Sequence, residues 1–394
     1  MLETPTIATP APSDATHRAA RWRIGRMREW SRPRLASTLV AVLLLALPNL
    51  LVQMHRAYFD GLSDNSWAMQ RVAACESLGR PADVLYLGSS RTAFGAAPAT
   101  GDAILREQFG VHTLGCNAGI FGSTIEDDYY ALKRLISDGY VPKLVVETLW
   151  EWNLNINAPV RADADPGNLV EAERLATLGD TAALRDHFGA GPRGLAGTAQ
   201  FAAKRLIPLY GDAIGVYRTV CGSSRIGPCA DGIPLGVSAG EQQLYENADR
   251  QGWVSGGSGS LAGLSPAAQK RVGDRVTQLE LPDYHQFVIG GKEPAYLANL
   301  IALAQAHHAR VVLVAPPLHP IFRTNAFDAP DVLPHISAYW ATFARQHGAR
   351  YVDLYASADF TDGDFRDPSH LNAAGAERLT SWLALHVLGP MLAA

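Results

Sequence analysis

Short apolar runs recur along the chain at Asp83–Leu87, Val111–Gly115, Lys143–Leu149, Arg310–Ala315 and Arg350–Leu354. Each is brief and rich in Val or Leu, the pattern of strands covered on both faces. Helical periodicity falls between several of them. Thr124–Asp138 places Tyr129, Leu132, Leu135 and Ile136 on one face. Glu293–His307 precedes the fourth run, Ala373–Leu388 follows the last, and a helix through Ala68–Val72 precedes the first. Strands alternating with helices predict a parallel sheet with helices on both faces. The rhythm breaks over about 154–285, which reads as an insertion between the third and fourth strands, with Val254–Ser260 a flexible run. Long insertions at an active edge are usually lids or binding elements. No internal repeat is visible.

Upstream, residues 35–54 form an apolar run with no charge inside Ala36–Met54. Its length matches the ~20 residues of a membrane-crossing helix. Arg18, Arg21, Arg23, Arg26, Arg28, Arg32 and Arg34 precede it. The expectation is a single-pass anchor with a cytoplasmic N-terminus and a periplasmic, extracytoplasmic remainder. A cleaved signal segment and a buried soluble helix are the alternatives. The expected organisation is a disordered basic tail at 1–34, the anchor at 35–54 and one domain at 55–394.

With 394 residues, 47% of them hydrophobic, the chain can bury a large core. A net charge of −4 argues against nucleic acid as a partner. Of the four cysteines, Cys221 and Cys229 enclose a short loop and are the disulfide candidates. Cys116 reads as a small buried hydrophobe. No Cys-x-x-Cys pair occurs, and His307-His308 lacks a suitably spaced carboxylate, so no metal site is expected.

The chemistry concentrates at two places. Gly88-Ser89-Ser90 ends the first predicted strand and opens a helix. Open α/β sheets bind ligands at that edge, and helix N-termini favour developing negative charge. Asp367-Pro368-Ser369-His370 precedes the last helix. That spacing lets a carboxylate orient an imidazole that acts as base for Ser90. The bland alternatives are a helix-capping Ser90 and a structural His370. Spacing alone is weak, since Asp14-Ala15-Thr16-His17 shows the same interval.

These blocks resemble the SGNH (GDSL-like) hydrolase superfamily, from about Asp83 to the C-terminus apart from the insertion. The resemblance implies a three-layer α/β/α sandwich on a parallel, flavodoxin-like five-stranded sheet. It implies Ser90 as nucleophile, with Ser89 in place of the family's usual Asp. Membrane-anchored members acting on envelope polymers can also carry Gly-Ser-Ser. Asn117-Ala118-Gly119-Ile120-Phe121-Gly122 matches the second block, with Gly122, or second Gly119, as an oxyanion donor beside the Ser90 N–H. The usual third block is missing. Asn153 is the choice for its amide donor, Asn155 stands behind it, and Glu151 in that place would argue against the usual chemistry.

Arg91 and His319 are weaker candidates for substrate contact. Trp150, Trp152 and Trp340 fit core better than sugar stacking. No cofactor is implied. The implied function is a membrane-anchored esterase or O-acyltransferase acting on acyl, chiefly acetyl, esters of a cell-surface polysaccharide. Its implied partners are an envelope glycan and a multi-pass membrane acyl donor protein. A catalytically silent glycan-binding or scaffolding domain is the alternative. A nucleotide-binding domain is disfavoured, because Gly88–Gly95 has neither Gly-x-Gly-x-x-Gly nor a Walker lysine.

Overall fold

The computed structural model describes residues 46–51, 67–158, 175–180, 192–207 and 248–393. The chain divides into units 1–49 and 50–394, and the sheet with its helices belongs to the second. Five strands form this sheet: β1 (Val84–Gly88), β2 (Gly115–Asn117), β3 (Leu144–Thr148), β4 (Arg310–Ala315) and β5 (Arg350–Asp353). Their order is β2-β1-β3-β4-β5 and every pairing is parallel. Strand order reverses between β1 and β3, the switch point where such sheets open a crevice at their carboxyl ends. The expected flavodoxin-like sheet is therefore present.

Among the described residues, nine helices position the site: α1 (Trp67–Glu76), α2 (Ser90–Gly95), α3 (Pro98–Phe109), α4 (Ile125–Ser137), α5 (Pro266–Leu279), α6 (Glu293–Ala306), α7 (Pro320–Asn325), α8 (Val332–Gln346) and α9 (Ala373–Leu383). Two apolar clusters flank the sheet. One gathers α1, α4, α6 and α8 around Leu85, Leu87, Val145 and Leu313, with Trp340 fully buried. The other packs α3 and α9 on Val84, Tyr86, Val146 and Val312. Alternate residues of each strand face opposite clusters, which explains why the runs are apolar throughout.

Local chemistry fixes the helix ends. Thr124 and Asp127 form a capping box, and three acids fill the first turn of α4, where the helix dipole favours them. Pro98 opens α3, and Gly110 closes it at φ 66°. The second strand lies later than the pattern suggests, at 115–117 rather than 111–115. Val84 pairs with Gly115, and the chain joins the sheet only there.

Among the described residues, no helix is long and apolar enough to cross a membrane. This overturns the single-pass anchor expected over 35–54. The transmembrane helix of the expected fold, the membrane partner and the membrane-anchored, periplasmic localisation fall with it. Of that stretch only 46–51 is described, as six helical residues. The rest lies outside the described residues, as does the tail at 1–34.

A disulfide forms where the sequence singled out none. Cys75 on α1 is bonded to Cys116 on β2, with Cα atoms 5.7 Å apart. Cys116 is buried as expected, but as half of a cross-link rather than as a free hydrophobe. Cys221 and Cys229 lie outside the described residues. The bridge closes a loop between positions 41 residues apart, so it should stabilise by about 2–4 kcal/mol. Substituting both cysteines by alanine is expected to lower the thermal midpoint. Alkylation under denaturing conditions should block Cys75 and Cys116 only after reduction, and blocking without reductant would contradict the pairing.

Candidate active site

The nucleophile turn begins at Gly88, where φ is +128°. A Cβ there would lie 2.4 Å from Thr92 Oγ1 and 2.7 Å from the Thr148 carbonyl oxygen, so only glycine fits. Ser89 caps α2: its Oγ accepts from the Arg91 N–H at 3.4 Å, and its carbonyl accepts from Thr92 and Ala93 at 2.9 and 3.0 Å. Serine is among the residues preferred at such a cap. Ser90 is the first residue of α2, where backbone N–H groups lack intrahelical acceptors.

The base arrives on a hairpin. β6 (Phe365–Asp367) and β7 (His370–Leu371) pair antiparallel, with Asp367 opposite His370. Ser90 Oγ lies 2.8 Å from His370 Nε2. On the far side of the ring, Nδ1 is 2.9 Å from Asp367 Oδ1 and 3.0 Å from Oδ2. Asp367 Oδ1 also accepts from the backbone N–H groups of Ser369 and His370, each at 3.0 Å. Burial alone would raise the Asp367 pKa, but His370, the Ser369 N–H and Arg366 together hold it down at about 2. The carboxylate therefore stays ionised and keeps the imidazole proton on Nδ1, leaving Nε2 to accept from Ser90. Phe94 meets the His370 ring edge-on at 5.4 Å. The Ser90–His370 contact, with Asp367 on the far side of the ring, has the arrangement a serine-type hydrolytic site needs.

The loop after β2 closes on this turn. The Ile120 N–H donates to the Gly88 carbonyl at 2.8 Å. A Cβ on Gly119 would lie 2.4 Å from the Ala93 nitrogen, so the loop rests directly on α2. The Gly119 N–H is engaged by Asn117 Oδ1 at 2.9 Å, which leaves Gly122 the better donor of the two. Gly122 stands at φ +69° in a turn closed by the Ser123 N–H donating to Ile120, a bond that does not use the Gly122 N–H. Asn117 is fully buried, and its Nδ2 donates to the carbonyls of Thr92 and Ala96 at 2.9 and 2.7 Å. It clamps the oxyanion loop to the nucleophile helix. The sequence pattern shows this residue but not that role.

Asn153 lies on the short 3-10 turn Glu151–Leu154 after β3, at the same sheet edge. Its side chain is outside the described residues. Asn155 is committed elsewhere, donating to Asp283 O at 2.8 Å and accepting from the Val288 N–H at 3.0 Å. Glu151 does not leave a bare carboxylate at the oxyanion position. It is fully buried and takes two hydrogen bonds from Arg91 Nη1, at 2.8 and 2.6 Å.

That pairing also corrects the substrate-contact reading of Arg91, whose side chain is 3% exposed and sits against the Trp150 and Phe322 rings. His319 is likewise occupied. Its Nδ1 accepts from the Ile321 N–H at 3.1 Å and its Nε2 lies 3.0 Å from Asp362 Oδ1. Burial lowers its pKa, against the pull of Asp362. Neither ring nitrogen is left for substrate. Trp152 and Trp340 are core, and Trp150 donates to Tyr284 Oη at 3.1 Å.

The run 254–260 is not a free linker. Val254 N–H donates to Ala93 O at 3.1 Å, Ala373 N–H to Gly257 O at 3.0 Å and Leu261 N–H to Phe365 O at 3.1 Å. This segment ties α2 to the catalytic hairpin.

Beneath the nucleophile turn lies a pair of buried acids. Asp128 on α4 accepts from the Gly88 N–H, and its carboxyl meets that of Glu147 on β3. Neither Glu147 oxygen has a hydrogen-bond donor among the described residues. Two neighbouring buried carboxyls with no described cation beside them favour keeping a proton between them. Burial pushes Asp128 up to about 7, and burial together with Asp128 raises Glu147 well above its ordinary value. Glu293 adds negative charge from α6, while Lys292 pairs with the neighbouring Glu126.

No known family profile and no curated protein matches the sequence. Solved structures that match the chain include TesA, at 14% identity over 77% of this chain and 98% of that one, with a TM-score of 0.32. A Bacteroides fragilis protein described as an acylhydrolase shares 14% identity over 84% and 99% of the two chains, with a TM-score of 0.34. A variant of Axe2, an acetyl-xylooligosaccharide esterase from Geobacillus, shares 13% over 77% and 93%, with a TM-score of 0.30. Scores this low leave the assignment to the strand order and the triad.

The acid pair has a testable sign. Its folded-state pKa is raised, so the native state binds the shared proton more tightly than the unfolded chain does. Stability is then fully present below about pH 4 and declines as pH rises through about 7. Glu147→Gln supplies a permanent donor to Asp128. Thermal midpoints measured from pH 5 to 9 should fall with pH in the wild type and flatten in the variant. Equal slopes would contradict the shared proton.

Proposed function

We propose that the chain is a serine ester hydrolase working through an acyl-serine intermediate. The observation that carries this reading is the Ser90 Oγ contact with His370 Nε2 at 2.8 Å, backed by Asp367 on Nδ1. His370 Nε2 takes the Ser90 proton as Oγ bonds to the carbonyl carbon. The carbonyl oxygen gains negative charge, which the Ser90 and Gly122 N–H groups stabilise, with Asn153 as the proposed amide donor. Collapse breaks the bond to the alcohol oxygen, which leaves with the proton from Nε2. Water, deprotonated by the same nitrogen, then attacks the acyl-serine and releases the acid. Asp367 remains ionised throughout.

The finer reading, O-acyl transfer to a polysaccharide, replaces water with a sugar hydroxyl and rests on the Gly88-Ser89-Ser90 form of the first block alone. The silent-domain alternative draws on the missing block-one Asp and third block. Against it, Ser89 caps α2 and Arg91 neutralises Glu151, so no bare carboxylate opposes a developing oxyanion there.

A serine-reactive phosphonate should label the wild type at Ser90. Ser90→Ala should lose the label and, like His370→Ala, about 10⁴-fold or more in kcat on a chromogenic ester. Labelling that survives in Ser90→Ala would overturn the assignment. Asn153→Ala should lower kcat about 10²–10³-fold with little change in KM, and an unchanged kcat would remove Asn153 from the oxyanion site.

A further inference from the structure

A cavity of about 410 Å³ opens against the catalytic hairpin. Its walls include Asp367 and His370 but neither Ser90 nor Gly122. His370 Nε2 must deliver a proton to the departing oxygen, so the alcohol half of an ester lies on the imidazole side of Ser90. The cavity therefore receives the alcohol rather than the acyl group.

The lining indicates what kind of alcohol. Leu261, Val276, Leu279 and Phe322 present an apolar wall. Leu279 is 51% exposed although it is a large hydrophobe, so its apolar surface is available to a ligand. Glu280 stands at the end of α5 on the same wall. Its carboxyl is partly buried and has no hydrogen-bond donor among the described residues. Burial raises its pKa, against the pull of Arg91 and His370 and with the push of Asp283 and Asp367. An acid placed there without a donor loses hydration and gains nothing within the protein. A ligand donor would supply the missing bond. Arg275 and Arg366 offset Glu280 and Asp367 in the lining, so no net charge there calls for a charged ligand. The donor that fits is a neutral hydroxyl.

We propose that Glu280 is a specificity-determining residue and that the preferred substrates are monoesters of amphipathic diols. The apolar body packs on Val276, Leu279 and Phe322, and the free hydroxyl bonds to Glu280. This rests on the ester-hydrolase reading and adds the identity of the leaving group.

The test holds the acyl group constant. Monoacetates of benzyl alcohol, of the three benzenedimethanol isomers and of 4-(aminomethyl)benzyl alcohol are compared by kcat/KM, with phosphonate labelling of Ser90 run alongside. The best benzenedimethanol ester should exceed the benzyl ester by about tenfold, as expected for one hydrogen bond to an acidic group. In Glu280→Ala that ratio should fall to about one, while Glu280→Gln should keep part of it. A wild-type ratio near one, a preference for the aminomethyl ester, or a ratio unchanged in Glu280→Ala would overturn the proposal. Absence of both labelling and turnover in the wild type would instead remove the hydrolase reading on which it stands.

Discussion

A hydroxyl and an imidazole from positions 280 residues apart meet at 2.8 Å, and the rest of the structure is arranged around keeping them there. The hydroxyl is placed by the switch point between β1 and β3, through a turn that only Gly88 can make. The imidazole is placed by a two-strand hairpin whose turn is knit together by Asp367. Neither element alone fixes the distance. The segment at 254–261 bridges them, bonding α2 at Ala93 and the hairpin at Phe365. Asn117 adds the oxyanion loop to the same unit. A displacement of about 1 Å in any of these supports is enough to impair such a site.

Charge is handled differently on the two sides of the nucleophile turn. On one side Arg91 and Glu151 neutralise each other out of water, with Tyr284 and Trp150 completing the network. Such a pair contributes little net stability, but loss of one partner would leave a buried charge at the site. On the other side Asp128 and Glu147 have no cation beside them among the described residues, and burial favours their protonated forms. Because Asp128 also holds the Gly88 N–H, this acid pair links protonation to the geometry of the turn.

Much of this is legible in the chain. The apolar runs locate four of the five strands within a residue or so, because strands buried on both faces leave an unmistakable composition. The shift of β2 is not legible, since the pairing of Gly115 with Val84 depends on where β1 lies. Gly88-Ser89-Ser90 and Asp367-His370 are readable because their chemistry demands those residue types at sheet edges. Arg91 and His319 mislead for a common reason. Polar side chains beside a catalytic motif look available in a sequence, yet Arg91 Nη1 is taken by Glu151 and both His319 ring nitrogens have partners. Asp362 and Glu280 are distant in sequence from the groups they influence and no local pattern marks them, while the Arg91 partner of Glu151 is equally remote. The composition of the apolar stretch at 35–54 does not report whether a continuous helix forms. Cys75 and Cys116 carry no spacing signal, because a helix and a strand bring them together.

The most direct test of the central contact is the site of the acyl group during turnover. Rapid acid quenching after mixing with an activated acetyl ester, followed by peptide mass mapping, reads that site. The account predicts acetyl on Ser90 in the wild type and none above background in His370→Ala. Acetyl on another residue, or equal acetylation of Ser90 in the absence of the imidazole, would contradict it.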